Sequence, residues 1–123
     1  MKARRMRKAF GGGMRQAGFL AAAGIYALDS HVNRLKEDHA KAKALGKELQ
    51  NLSWVKSVMP VDTNIVLFEV VATLTPEKVL AKFNENNIKA LPFSQTEIRL
   101  VTHLDFTNDM LNKAVEIFKK ISF

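Results

Sequence analysis

Three groups of residues in this 123-residue chain could do chemistry: a glycine turn between cations, an arginine inside an apolar strand, and scattered histidines. The run Arg7-Lys8-Ala9-Phe10-Gly11-Gly12-Gly13-Met14-Arg15-Gln16 sets three glycines between Lys8 and Arg15. Glycines that open a helix leave backbone N–H groups free to face an anion, and the helix dipole adds to the attraction. Lys8 and Arg15 would then contribute positive charge for a phosphate. The alternative is a hinge carrying solvated cations, and neither the Walker nor the dinucleotide glycine spacing is present. Arg99 lies within Glu97-Ile98-Arg99-Leu100-Val101-Thr102-His103, an otherwise apolar strand pattern. A guanidinium there either meets an anion, for which bidentate pairing with a carboxylate suits it, or sits at a strand edge in solvent or beside Glu97. The histidines offer less. His31 and His39 are eight residues apart with no HExxH-type spacing, so no metal site is expected. His103 and Asp105 follow a strand and suit the capping of the next turn. The chain has no nucleophilic serine elbow, no cysteine and no convincing carboxylate pair, so no catalytic residue is assigned within it.

Composition bounds the rest. At 47% hydrophobic the chain can build a core, and it is too apolar for a disordered tail. The absence of cysteine removes disulfides and thiolate metal sites and fits an intracellular, cytoplasmic protein. The net charge of +7 is concentrated: Lys2, Arg4, Arg5, Arg7, Lys8 and Arg15 fall in the first sixteen residues with no acid among them. The remainder is nearly neutral, whereas a nucleic-acid binder usually spreads a basic face over its fold and interleaves aromatics. No nucleic-acid partner is therefore expected. The apolar run from Ala17 to Leu28 falls short of the ~20 residues that span a bilayer. The intervening Gly11-Gly12-Gly13 also spoils a signal-peptide pattern, and no membrane partner is expected.

The elements that must position these residues can be read from periodicity. Residues 1–10 read as the end of a basic helix, broken by the glycines. A second helix over 14–28 has a small-residue interior (Ala17, Gly18, Ala21, Ala22, Ala23, Gly24, Ala27) suited to tight packing against something large. A third helix spans 31–52, with Leu35, Ala42, Leu45, Leu49 and Leu52 on one face. Short strands are expected at 54–59 and 64–71, the latter so continuously apolar that both its faces should be covered. Thr75-Pro76-Glu77 starts a helix. Strands at 88–91 and 97–102 follow, and Thr107 caps a last helix bearing Leu111, Ala114, Val115, Phe118 and Ile121. The pattern predicts an α+β fold: a helical arm over residues 1–29, then a module over 30–123 with a small, mainly antiparallel sheet in the order β-β-α-β-β-α and helices on one face.

The segment from Ala3 to Gly18 containing the glycine turn, followed by Leu20-Ala21-Ala22-Ala23-Gly24, resembles the threonine aldolase family, pyridoxal-phosphate enzymes of the aspartate-aminotransferase fold type. The likeness continues through Arg34-Leu35-Lys36-Glu37-Asp38-His39, Asp62-Thr63-Asn64 and Arg99-Leu100-Val101-Thr102-His103-Leu104-Asp105. It implies that the chain is the C-terminal portion of a larger enzyme, with residues 1–29 left from the large-domain boundary. The lysine that binds pyridoxal 5'-phosphate would lie upstream, so the chain alone would not be catalytic. By resemblance, Lys8 and Arg15 match positions that support the cofactor phosphate, and Arg99 matches the arginine that holds the substrate's carboxylate. The implied partners are the missing large domain, an amino-acid substrate and further copies in a homo-oligomer. The implied reaction cleaves threonine or a similar β-hydroxy-α-amino acid to glycine and an aldehyde. A related β-eliminating lyase or aminotransferase piece, or a freestanding α+β binding module with a basic arm, are the alternatives.

Overall fold

The computed structural model describes residues 2–123, which form two compact units, one reaching Arg34 and the other Leu35–Phe123. The first holds α1 (Lys2–Ala9), α2 (Gly18–His31) and a short 3-10 turn (Val32–Arg34). Helix α1 is closed by a glycine cap. Gly11 has a φ of +83°, its N–H donates to Lys8 C=O at 3.2 Å, and Gly12 N–H donates to Arg7 C=O at 2.7 Å. This paired bonding is the Schellman arrangement, in which a left-handed residue satisfies the last carbonyls of a helix. Glycine is required at the next position as well, since a Cβ on Gly12 would lie 2.8 Å from Arg7 O. The glycines therefore end α1 rather than open α2, which starts at Gly18 instead of Met14. Helix α2 is apolar around its circumference and exposed: Phe19, Leu20, Ile25, Tyr26 and Leu28 all lie open, Phe19 to 80%. A helix that is hydrophobic all round is one whose stable environment is an interior.

The second unit is a four-stranded antiparallel sheet with three helices against one face. Its elements are α3 (Leu35–Leu49), β1 (Val55–Val58), β2 (Ile65–Val70), α4 (Pro76–Glu85), β3 (Leu91–Pro92), β4 (Glu97–Val101) and α5 (Asn108–Lys120). The strands lie in the order β1-β2-β4-β3, so the β-β-α-β-β-α expectation holds. Strand alternation does the sorting. Val66, Phe68 and Val70 of β2 and Ile98 and Leu100 of β4 are buried against Ala42, Leu45 and Leu49 of α3, Val79 and Phe83 of α4, and Ala114 and Phe118 of α5. Trp54 enters this core in T-shaped contact with Phe68, Phe83, Phe118 and Phe123. The expectation that both faces of β2 are covered does not hold within this unit: helices pack one face only, and Ile65 on the other is 40% exposed.

Two local departures have clear causes. The third strand is shorter and later than 88–91, because Ile88 N–H turns back to Phe83 C=O at 2.8 Å and Asn87 N–H to Asn84 C=O at 3.0 Å, with Asn87 at a φ of 60°. These bonds cap α4 and withhold Ile88 from the sheet. On α3, Leu35 is exposed, whereas Asp38 and Gly46 join the buried face. Gly46 is there because a Cβ would come within 2.8 Å of a Val61 methyl.

The end of β4 is tied down by Thr102, which is 1% exposed. Its hydroxyl donates to Asp38 C=O at 2.7 Å and its N–H to Asn64 C=O at 2.9 Å, while Asn64 Nδ2 donates to Thr102 C=O at 2.7 Å. Thr102→Val keeps the shape and removes the hydroxyl. It is expected to destabilise the chain by about 1 kcal/mol, read as an earlier urea midpoint by Trp54 fluorescence, with Thr102→Ser recovering part of the loss. At the start of α4, the Glu77 carboxyl is held below its ordinary value by its own backbone N–H and by the Thr75 hydroxyl. A carboxylate whose folded pKa is depressed adds stability above its unfolded pKa and loses it as pH falls through the folded value. Glu77→Gln is therefore expected to lower stability at neutral and alkaline pH and to match the unaltered chain at the acid end, so that the acid-side slope of the stability–pH curve flattens.

Candidate functional site

Arg99 sits in the middle of β4 on the face the helices leave open, since side chains of a strand alternate and Ile98 and Leu100 point into the core. Directly across the ladders its partners are Leu67 of β2 and Leu91 of β3. The guanidinium is thus flanked by two leucines rather than by acids. Its Nε is buried and has no hydrogen-bond partner among the described residues. Glu69, on the same face of β2, is already committed: it takes Lys56 Nζ at 2.9 Å and Ser57 Oγ at 3.4 Å. The Lys56 bond holds the Glu69 carboxyl below its ordinary value. Among the described residues no carboxylate forms an ion pair with Arg99, Glu97 included. A buried donor left unmade costs about 1–3 kcal/mol, so this geometry suits an anion brought from outside the unit. A planar carboxylate matches the guanidinium fork.

Trp54 Nε1 is the other buried side-chain donor without a partner among the described residues. It differs in setting, because its indole packs in T-shaped contact with four phenylalanine rings.

Lys8 and Arg15 belong to the first unit and Arg99 to the second. Lys8 occupies the last turn of α1, and its side chain lies along the glycine turn, 3.1 Å from where a Cβ on Gly13 would stand. Arg15 follows on the other side of that turn, and both side chains are exposed. The turn therefore holds two cations, but the amides of Gly11 and Gly12 are spent on closing α1. An anion bound here would rest on side-chain charge more than on glycine N–H groups. His103 and Asp105 form a turn rather than a site: His103 Nδ1 accepts from Asp105 N–H at 3.3 Å, and His103 C=O accepts from Phe106 N–H at 3.0 Å.

Sequence reasoning missed the residues that hold β4 in place. Thr102, Asn64 and the carbonyl of Asp38 meet at the end of the strand, although they lie in three separate segments of the chain. The one signal available was that each falls in a stretch carrying the family resemblance. Lys41 adds a further tie, its ammonium donating to Phe106 C=O at 2.5 Å.

Comparison with known proteins places the chain among relatives. Low-specificity L-threonine aldolase 1 of Arabidopsis thaliana is 34% identical over 97% of this chain and 34% of its own length. The low specificity L-threonine aldolase of Escherichia coli K12 is 43% identical over 89% of the chain and 32% of its own. The chain thus spans about a third of the length of these relatives. Among solved structures, the ornithine δ-aminotransferase of Plasmodium falciparum superposes with a TM-score of 0.61 at 21% identity, covering 78% of this chain and 26% of that one. The ornithine aminotransferase of Toxoplasma gondii gives 0.60 at 22% identity, over 81% and 24%. These likenesses establish the fold. Residues 1–73, which include the glycine turn, α2 and the first two strands, match the family model described as beta-eliminating lyase, and the chain belongs to that family.

Proposed function

We propose that this chain is the C-terminal part of a pyridoxal-phosphate-dependent aldolase that cleaves a β-hydroxy-α-amino acid such as threonine into glycine and an aldehyde. The observation that carries the reading is Arg99: a guanidinium in an apolar strand, flanked by Leu67 and Leu91, with a buried Nε that nothing in the described chain satisfies. The relatives named as threonine aldolases support the substrate class. The Toxoplasma aminotransferase, whose active site held PLP at partial occupancy, supports the cofactor.

In this reading Arg99 takes the substrate's α-carboxylate in a bidentate grip. That grip fixes the amino acid about its Cα, so that the Cα–Cβ bond to be broken is held in one orientation. Leu67 and Leu91 exclude water from the pair and strengthen it. Lys8 and Arg15 neutralise the cofactor's phosphate; a segment with six cations and no acid fits a dianion. When bound, the cofactor supplies the electron sink for the bond cleavage. The lysine that carries it belongs to a large domain outside these 123 residues, against which the apolar helix α2 packs. Residues 1–29 form the arm at that domain's boundary, and residues 30–123 the small domain. The intact protein works in the cytoplasm as a homo-oligomer. None of the helices among the described residues is long and apolar enough to cross a membrane.

Two measurements test this. The purified 123-residue chain, mixed with pyridoxal phosphate and threonine, is expected to release no glycine; turnover by the chain alone would place the cofactor lysine within it and overturn the reading. In the intact protein, Arg99→Lys is expected to raise KM for threonine roughly ten- to a hundredfold. An unchanged KM would remove Arg99 from carboxylate binding.

A further inference from the structure

A cavity lies beside α5 at the end of β4, and neither Arg99 nor its flanking Leu67 and Leu91 lines it. It is lined chiefly by Ile88, Leu100, Phe106, Met110 and Ile117, apolar side chains of β4, α5 and the segments that follow α4 and β4, and offers about 440 Å³. That is within the usual range for small-molecule sites. The cavity exists because β3 is only two residues long and pairs β4 no further than Arg99, so the end of β4 has no third-strand cover. Its far wall is α5, and its near lip is the cap of α4. That lip is preformed: Asn87 is held in the left-handed region by the bonds from Asn87 N–H and Ile88 N–H back to α4.

The charge around the opening is of one sign. Lys89 and Lys113 line the cavity, the neutral His103 ring beside them, and among the described residues no acidic side chain does. The two grooves on the neighbouring α3–α5 surface are mixed, with Glu37 beside Lys41 in one and Glu48 and Glu116 beside Lys47 in the other. An apolar interior with exposed ammonium groups at its mouth complements one ligand chemistry, an apolar tail ending in a carboxylate. From this charge complementarity we infer that the α4–β4–α5 cavity is a binding site for a small amphiphilic monocarboxylate, its chain against Leu100, Phe106 and Ile117 and its carboxylate at Lys89 and Lys113.

The inference is independent of the aldolase reading, and Arg99 takes no part in it. Sodium octanoate is the probe, titrated into the full chain while amide and methyl resonances are followed by NMR. Saturable shifts confined to Ile88, Leu100, Met110 and Ile117 are expected, with octanol binding more weakly. Both lysines are exposed, so the double variant Lys89→Glu/Lys113→Glu should fold normally. It should weaken octanoate by about fivefold or more while leaving octanol unchanged. No saturable shift, shifts centred on Arg99, or equal binding of octanoate and octanol would each overturn the inference. Should the double variant lose its native spectrum, the octanoate–octanol comparison on the unaltered chain decides alone.

Discussion

The antiparallel ladder between β2 and β4 is the constraint on which the second unit depends. Its register sets Ile65 opposite Val101, Leu67 opposite Arg99 and Phe68 opposite Ile98. Because side chains alternate strictly, a one-residue slip would drive the Arg99 guanidinium into the aromatic core and bring Ile98 and Leu100 to the open face. Burial of Val66, Phe68, Ile98 and Leu100 therefore does more than stabilise the sheet; it aims Arg99. The bonds joining Thr102, Asn64 and Asp38 close the ladder at the end where β3 gives no support. Hydrophobic burial chooses the face, and those bonds hold the register.

The same sheet has two unlike faces. One is a finished core built around Trp54 and three phenylalanines. The other is apolar at Ile65, Leu67 and Val101, open to solvent at its margins, and carries Arg99, whose buried Nε has no partner among the described residues. In the first unit, α2 exposes an apolar surface on every side. A sheet face with an unmet donor and a helix with an unmet apolar surface are both features of chain that finds its partners elsewhere. The proposal that a larger domain covers them accounts for both at once.

Much of this was legible in the residues. Strict alternation placed Arg99 and Val101 opposite Ile98 and Leu100, and the Thr75-Pro76-Glu77 and Thr107 starts lie where α4 and α5 begin. What was illegible depended on competition for backbone groups. The glycine turn could equally open α2 or close α1, and only the bonds from Gly11 and Gly12 decide for closure. Ile88 had the character of a strand residue but was claimed by the cap of α4. The two-sided burial inferred for β2 followed from its apolar run, and that run needs a covering partner which this unit does not provide. The positions of Lys8, Arg15 and Arg99 were readable; their joint role rests on the resemblance and on the proposal built from it.

The central claim is that Arg99 receives the substrate's carboxylate. The most direct measurement is a crystal structure of the intact protein with pyridoxal phosphate and glycine bound. The account predicts the Arg99 guanidinium, Nε included, within hydrogen-bond distance of the glycine carboxylate oxygens, between Leu67 and Leu91. A carboxylate held by another cation, with Arg99 Nε satisfied by a protein acceptor from the large domain, would contradict it.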